Sequence, residues 1–338
     1  MRIAEINDIA SVASGLADGL TARGHEVTLI RPRLVGGALP WMIKPVVAPA
    51  RAVEWAQIIR EIHNGDFDIV HIHYAYLGML GVLGKFPYIL HCHGSDVREI
   101  TPFTKPMIER ALRSADKVYY ATPDLAAYVL KRRADAEFLP NPVDSEEFRP
   151  LAPARESSRV FICCSLTDIK GAPRLLDACR RLARQRPDIQ VTAIAGGEYT
   201  DEFRLLPNVT LIPHMPRRRL PEVIGQHGVV MGQVLLGAAG MAELEAMACA
   251  RPVISWYAYK KAYPEPAPFI RALDGYDIAE AVIRMVDNPA DRQALGEEGR
   301  EWVQRYHSLE RVAEHVETAA LDIIAHAGSG RLARGGAA

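Results

Sequence analysis

Three groups of residues have types and spacings that could do chemistry. The first is the run Gly237-Ala238-Ala239-Gly240-Met241-Ala242-Glu243-Leu244-Glu245-Ala246-Met247-Ala248-Cys249, which follows a strand-like segment and opens a helical one. Small residues ahead of a helix let a ligand approach the unpaired N–H groups of its first turn. An anion such as a diphosphate gains from those donors and from the helix dipole. The competing reading is a tight turn with its helix packed close to a sheet. Glu245 falls inside a mostly apolar helix, where an unpaired carboxylate is costly, and a ligand hydroxyl is a partner that fits. The second group is His71/His73 and His91/His93. Each pair alternates along a strand and so points to one face. If the strands are neighbours, four imidazoles could converge on zinc. Ordinary hydrogen-bonded histidines are the favoured reading, and no metal is expected. The third is Lys170-Gly171, which on its own reads as a solvated helix start. No His-Glu-x-x-His, Cys-x-x-Cys, Walker or Gly-x-Ser-x-Gly pattern occurs.

The elements that must position these groups alternate. Short β-branched runs are separated by longer helical patterns, which argues for parallel βαβ units. Residues 1–6, 26–31, 68–73, 88–93 and 117–121 read as strands, with a helix over 10–23 stopped by Gly24. Asn141-Pro142-Val143-Asp144, followed by Pro150 and Pro153, is rich in breakers and reads as a linker. The pattern then restarts. Residues 160–164, 189–195, 209–212, 229–234 and 252–255 are predicted strands, and 172–184, 241–249, 277–286, 291–305 and 309–324 are predicted helices. The fold class is therefore α/β, with two doubly wound Rossmann-like domains over residues 1–150 and 151–326. A disordered tail is expected over 327–338. In open parallel sheets ligands sit at the carboxyl ends of strands, so candidates at strand ends gain weight.

A chain of 338 residues exceeds what one core usually organises, which agrees with two domains. The formal charge of −1 gives no electrostatic reason to expect a nucleic-acid partner. Glu5 and Asp8 interrupt the first apolar residues, so no signal-peptide core is expected there. Five cysteines, with Cys163 and Cys164 adjacent, read as reduced thiols, and the cytoplasm is the expected compartment. Residues 34–49, with Trp41, Met42, Ile43 and Lys44 beside Arg31 and Arg33, are apolar and basic. They could touch a membrane or a lipid-linked acceptor. A plain connecting loop is the favoured reading, because the prolines argue against a continuous amphipathic helix.

The segment Glu245-Ala246-Met247-Ala248-Cys249-Ala250-Arg251-Pro252-Val253 resembles the second half of a signature of family 4 of the glycosyltransferases, which have the GT-B fold. Other segments are similar to that family in the same order. They are Leu16-Ala17 through Val27, Asp68-Ile69-Val70-His71-Ile72-His73, His93-Gly94-Ser95-Asp96, Pro140-Asn141-Pro142-Val143-Asp144, Lys170-Gly171 and residues 292–310. Any one is unspecific; six in the family's order are not.

The resemblance implies a retaining, metal-independent transferase that moves a sugar from a nucleoside-diphosphate sugar to an acceptor in an interdomain cleft. No further cofactor is implied. The acceptor is a glycan, a lipid-linked molecule or a small molecule. Glu245 would bind the ribose hydroxyls, and Lys170 would neutralise the donor diphosphate. Backbone N–H groups around Gly240 and Met241 would hold the distal phosphate. His93 would contact the transferred sugar, while Asp96 and Asn141 shape the cleft. The last helix would return to the first domain, as in relatives. An Asp-x-Asp of the other major glycosyltransferase fold is matched by Asp66-Phe67-Asp68, but at the start of its strand, the wrong edge for a ligand.

Three departures stand out. Gly237 replaces the family's first glutamate, Ser165 replaces an arginine five positions before Lys170, and Asn7-Asp8 replaces a glycine pair. Each lost charge-assisted hydrogen bond is worth roughly 1.5–3 kcal/mol. Substitution by Asp8, Arg217 or Glu243 is the favoured explanation. A catalytically silent nucleotide-sugar-binding partner, or an isomerase or phosphorylase on the same scaffold, remain alternatives.

Overall fold

The computed structural model describes residues 1–33, 44–151 and 158–335. The chain divides into two compact units: Met1–Pro142 with Leu309–Ala338, and Val143–Ser308. The division falls after Pro142, eight residues before the boundary expected from the sequence.

In chain order, the first unit contains β1 (Arg2–Ile6), α1 (Val12–Ala22), β2 (Glu26–Ile30), α2 (Lys44–Asn64), β3 (Ile69–His73), α3 (Met79–Gly84) and β4 (Tyr88–Cys92). It continues with α4 (Ser95–Arg98), α5 (Lys105–Ser114), β5 (Lys117–Tyr120), α6 (Ala126–Val129) and β6 (Glu137–Phe138). All its strands are parallel, in the order β2-β1-β3-β4-β5-β6. Alternation sets the two faces. Ala4, Ile6, Val70, Ile72, Leu90, Cys92 and Val118 join one apolar core. Glu5, His71, His73 and His91, in the intervening positions, are wholly buried as well.

The second unit has β7 (Arg159–Ile162), α7 (Ala172–Gln185), β8 (Gln190–Ile194), α8 (Thr200–Arg204), β9 (Val209–Ile212), α9 (Leu220–Gly225) and β10 (Val229–Met231). Then come α10 (Met241–Ala248), β11 (Val253–Ser255), β12 (Ile270–Arg271), α11 (Gly275–Asp287) and α12 (Pro289–His307). Its parallel sheet runs β12-β11-β10-β7-β8-β9. Val160 and Ile162 face the core that contains α7 and α11, whereas Phe161 faces the one that contains α10 and Trp302. Both sheets are thus covered on two sides, the doubly wound arrangement that the alternating pattern predicts.

The last helix, α13 (Leu309–Gly335), groups with the first unit. It lies against α1, where a Cβ on Gly19 would stand 2.8 Å from Leu309 O and 3.0 Å from Ala313 Cβ. Helical backbone continues to Gly335, past Ala327, where the sequence reading starts an unstructured tail. The segment from Lys44 to Pro49, read as part of a loop, belongs to α2, while residues 34–43 lie outside the described residues. Pro45 sits in the first turn of that helix, where a missing N–H costs nothing. Among the described residues no helix is long and apolar enough to cross a membrane.

Each sheet reverses its winding beside its first strand. In the first unit β2 and β3 lie on opposite sides of β1; in the second, β8 and β10 lie on opposite sides of β7. In open parallel sheets a switch point of this kind is where ligands bind, at the carboxyl ends of the strands.

Candidate active site

In the second unit the switch point gathers residues from three loops. The loop after β7 carries Ser165, which is exposed, with its Oγ 3.4 Å from Thr167 Oγ1. It ends in a short 3-10 turn, Asp168–Lys170, and at Gly171, whose φ of 84° favours glycine. A Cβ at Gly171 would lie 2.7 Å from Val234 Cγ2. The half-buried Lys170 donates from Nζ to Gln233 Oε1 at 3.3 Å, and its carbonyl accepts from Val234 N at 3.0 Å.

Gln233, just past β10, is buried and links everything nearby. Its side-chain amide donates to Ala238 O, and its backbone N–H donates to Glu243 Oε1 at 2.8 Å. Ser255 Oγ donates to its carbonyl at 2.7 Å. Glu243 Oε2 accepts from Gly240 N at 3.0 Å. The turn from Gly237 to Gly240 is therefore tied at both ends to one glutamine and one glutamate. Gly237 has φ 75°, and its carbonyl accepts from Ala258 N at 2.9 Å.

Gly240, the residue ahead of α10, has no side chain and makes no side-chain cap. A Ser, Thr or Asp there would satisfy a first-turn N–H; glycine leaves those of Met241, Ala242 and Glu243 for another acceptor. Two expectations change. The N–H of Gly240 itself is spent on Glu243, so the available donors begin at Met241. Glu243 is likewise engaged through both oxygens and holds the turn, rather than standing in for the missing carboxylate.

Glu245 is buried on α10, and Arg217 Nε donates to its Oε1 at 2.7 Å. Arg217 also reaches Glu147 Oε2 at 3.1 Å and lies 4.6 Å from the centre of the Phe148 ring. A protein guanidinium thus occupies one oxygen where the sequence reading left the carboxylate to a ligand hydroxyl. Burial pushes the Glu245 carboxyl from 4.5 up to about 7, against the attraction of Arg217. Arg217 is committed to this pair and is not a free replacement for the arginine lost at Ser165.

In the first unit β1 ends at Asn7, whose φ of 71° is left-handed. Asn tolerates that conformation better than most side chains, which explains why it can stand where the family has glycine. Its Nδ2 donates to His73 O at 3.1 Å and its N–H to Ile30 O at 2.9 Å. Asp8 accepts from Ser14 N at 3.1 Å and from Arg31 at 2.9 Å, so its carboxylate serves the start of α1 and an ion pair.

Asp96 is buried and collects three backbone donors: Ala75 N at 2.8 Å, Gly94 N at 2.6 Å and His93 N at 3.1 Å. Burial pushes its carboxyl up while those donors oppose the shift. It pins the loops after β3 and β4 and so fixes His93. Asn141 is buried immediately ahead of Pro142. Asp68 Oδ2 accepts from Arg2 N at 2.8 Å at the opposite edge of the sheet, as befits a turn.

The histidine pairs do share a face, because β3 and β4 are neighbours with His73 opposite His91. Glu5 of β1 completes the group. Its Oε1 lies 3.2 Å from His71 Nδ1 and its Oε2 lies 2.7 Å from His73 Nε2. His73 Nδ1 is 2.9 Å from His93 Nε2. Burial would raise the Glu5 carboxyl, but attraction and hydrogen bonds from His71 and His73 prevail and hold it at about 2. One ligand atom from each of His71, His73 and His91 lies within 4.8 Å of the others. Among the described residues, His91 has no hydrogen-bond partner for either ring nitrogen, and His71 none for Nε2. His73, by contrast, already uses both nitrogens.

The sequence profile described as Glycosyltransferase Family 4 matches residues 9–147, and one described as Glycosyl transferase-like matches residues 173–318. The chain belongs to glycosyltransferase family 4. This glycosyltransferase is 25% identical over 305 residues to a GDP-mannose-dependent monoacylated alpha-(1-6)-phosphatidylinositol monomannoside mannosyltransferase of Corynebacterium glutamicum, covering 79% of each chain. It is 25% identical over 216 residues to a phosphatidyl-myo-inositol mannosyltransferase of Mycobacterium tuberculosis, covering 56% of each. Among solved structures, sucrose-phosphate synthase from Thermosynechococcus elongatus superposes with a TM-score of 0.73 at 18% identity, over 96% of this chain and 100% of that one. Anabaena HepE in complex with UDP gives 0.71 at 12% identity, over 95% and 100%. These likenesses make the fold GT-B.

Two residues carry contacts that the sequence alone does not show. Gln233 has a visible signal, a polar side chain at the end of a buried apolar run, but its partners lie before α7, in its own loop, on α10 and at the end of β11. Glu5 was read only as a break in an apolar run, and its position on the histidine face needs the β1-β3-β4 order.

Proposed function

We propose that the enzyme transfers a sugar from a nucleoside-diphosphate sugar to an acceptor, with retention of anomeric configuration, without a catalytic metal and without any cofactor besides the donor. The observation that carries this reading is the second unit's switch point. Lys170 and the start of α10 are linked there through Gln233 and Glu243, and Glu245 follows on the same helix, paired with Arg217. Negative charge develops on the departing diphosphate as the anomeric carbon becomes positive. A lysine ammonium and oriented N–H groups stabilise that charge without a metal. Glu245 holds the ribose, Met241 and its neighbours the distal phosphate, and His93, as the resemblance implies, contacts the transferred sugar.

GDP-mannose is the first donor to test, because the Corynebacterium relative is named for it. A lipid-linked acceptor is the matching proposal, with contact at a membrane surface. Val46 and Val53 of α2, seven residues apart and so on one side of the helix, are 76% and 57% exposed. A cytoplasmic location, with no nucleic-acid partner, goes with that reading. The test is a thermal-shift screen of the purified protein against GDP, UDP, ADP and TDP sugars. A donor at 100 times its dissociation constant adds about 2.7 kcal/mol of stability. No shift with any of them refutes the assignment.

A further inference from the structure

The contacts around Glu5 determine where the protons on the buried imidazoles sit. Glu5 is wholly buried on β1 and, as a carboxylate, can only accept. Its Oε2 lies 2.7 Å from His73 Nε2, so that nitrogen carries hydrogen. His73 then has a bare Nδ1, provided the ring is neutral. That bare nitrogen lies 2.9 Å from His93 Nε2, and two bare nitrogens at such a distance repel, so His93 Nε2 carries hydrogen. The remaining nitrogen of His93, Nδ1, is left with its lone pair.

Two alternative protonation states would reverse this order. A protonated Glu5 could donate, but the hydrogen bonds from His71 Nδ1 and His73 Nε2 favour the carboxylate and lower its carboxyl against burial. A His73 imidazolium would donate from both nitrogens, but burial and neighbouring His71 lower its affinity for a proton below the ordinary 6.5, against the pull of Glu5. Burial, with His73 and His71 beside it, depresses His93 further. At neutral pH each of these two rings therefore has a single N–H.

We infer that Glu5 and His73 are positioning residues that lock His93 in the Nε2–H tautomer, so that its Nδ1 accepts a hydrogen bond from a hydroxyl of the substrate. A neutral His93 of this tautomer does not donate to a phosphate oxygen and has no proton to give a leaving group from Nδ1. Its preferred contact is an O–H, as a sugar offers. This rests on the reading that His93 meets the transferred sugar; the tautomer itself does not.

The test is imidazole NMR on the full chain labelled with ¹⁵N-histidine, at pH 7.5 and without donor. Long-range ¹H–¹⁵N correlations separate bare from protonated nitrogens, and a His93→Asn variant assigns the His93 signals by their loss. The expected result is one tautomer, with Nε2 protonated and Nδ1 bare. A proton on Nδ1, alone or with one on Nε2, overturns the inference. In Glu5→Gln an amide nitrogen faces His71 or His73, and the single His93 tautomer gives way to a mixture. Unchanged His93 signals in that variant remove Glu5 from the account. Should Glu5→Gln not fold, His73→Asn asks the same question, since an amide can donate or accept towards His93. In whichever variant folds, kcat falls about 3- to 10-fold for the lost hydrogen bond. The dissociation constant for the bare nucleoside diphosphate, held by the second unit, stays unchanged; an unchanged kcat would remove the positioning role. Absence of nucleotide binding, by contrast, would strike the proposed function and leave the tautomer standing.

Discussion

Glu245→Gln should make the protein more stable and its donor site weaker, and the stability gain should depend on pH. The Glu245 side chain is 3% exposed, and its carboxyl is raised from 4.5 to about 7 by burial, with Arg217 only partly offsetting this. Between those two pH values the folded protein holds the proton more tightly than the unfolded chain does. Stability therefore falls as pH rises through that interval, by about 1.4 kcal/mol for each pH unit. Summed from 4.5 to about 7, the loss is about 3 kcal/mol. Glutamine has the shape of the protonated acid and does not titrate, and Arg217 keeps Glu147 at 3.1 Å. Below pH ~4.5 the two proteins should match in this respect. At pH 8 the variant should be more stable by about 3 kcal/mol, or about 6–12 °C in Tm at the ~2–4 °C per kcal/mol of a unit this size. Urea titrations at pH 5, 6, 7 and 8 read this directly. In the same variant, affinity for the nucleotide should fall about 10-fold, because a charge-assisted hydrogen bond to the ribose becomes a neutral one. Parallel stability profiles for the two proteins would show that Glu245 titrates normally, and the desolvation argument would be wrong.

Lys170→Ala should weaken nucleoside-diphosphate binding by roughly 10- to 150-fold, the worth of ~1.5–3 kcal/mol. Its Tm should hardly move, since the half-buried Lys170 side chain makes one hydrogen bond, of 3.3 Å, among the described residues; calorimetric titration and a melt check both. Gly237→Glu, which restores the family's carboxylate, should cost about 1–2 kcal/mol, because φ is 75° and a Cβ would lie 3.1 Å from Ala258 Cβ. Turnover should not rise in that variant, and a gain would mean that the carboxylate can be replaced simply. Dialysis against a chelator should leave turnover unchanged. A loss that zinc restores would assign His71, His73 and His91 to a metal.

The features legible in the sequence were those set by local pattern. Alternating short β-branched runs and helices give the strand sequence, and Gly240 ahead of Met241 marks the start of α10. Lys170 and His93 are candidates by family order and by their places after strands. Relations that depend on which strands become neighbours were not legible. Gln233 bridges Lys170 to the Ala238 carbonyl only because β10 lies beside β7. Glu5 meets two histidines 66 and 68 positions away because β3 pairs with β1. Glu243 and Glu245 look alike in sequence, yet two residues on a helix point in different directions. One closes back on its own helix start and the other meets Arg217 from an upstream turn.

This separation bears on the missing family carboxylate. Gly237 is not an intact position that merely lost its side chain. Its backbone is left-handed, and the rest of its turn is anchored by Gln233 and Glu243. A glutamate with ordinary dihedrals would have to unwind that turn, moving Gly240 and with it the first-turn N–H groups of α10. The loop's shape and its lack of a carboxylate are therefore one feature. On the proposed reading, donor recognition draws more on backbone N–H groups and Lys170 than on a side-chain acid at residue 237.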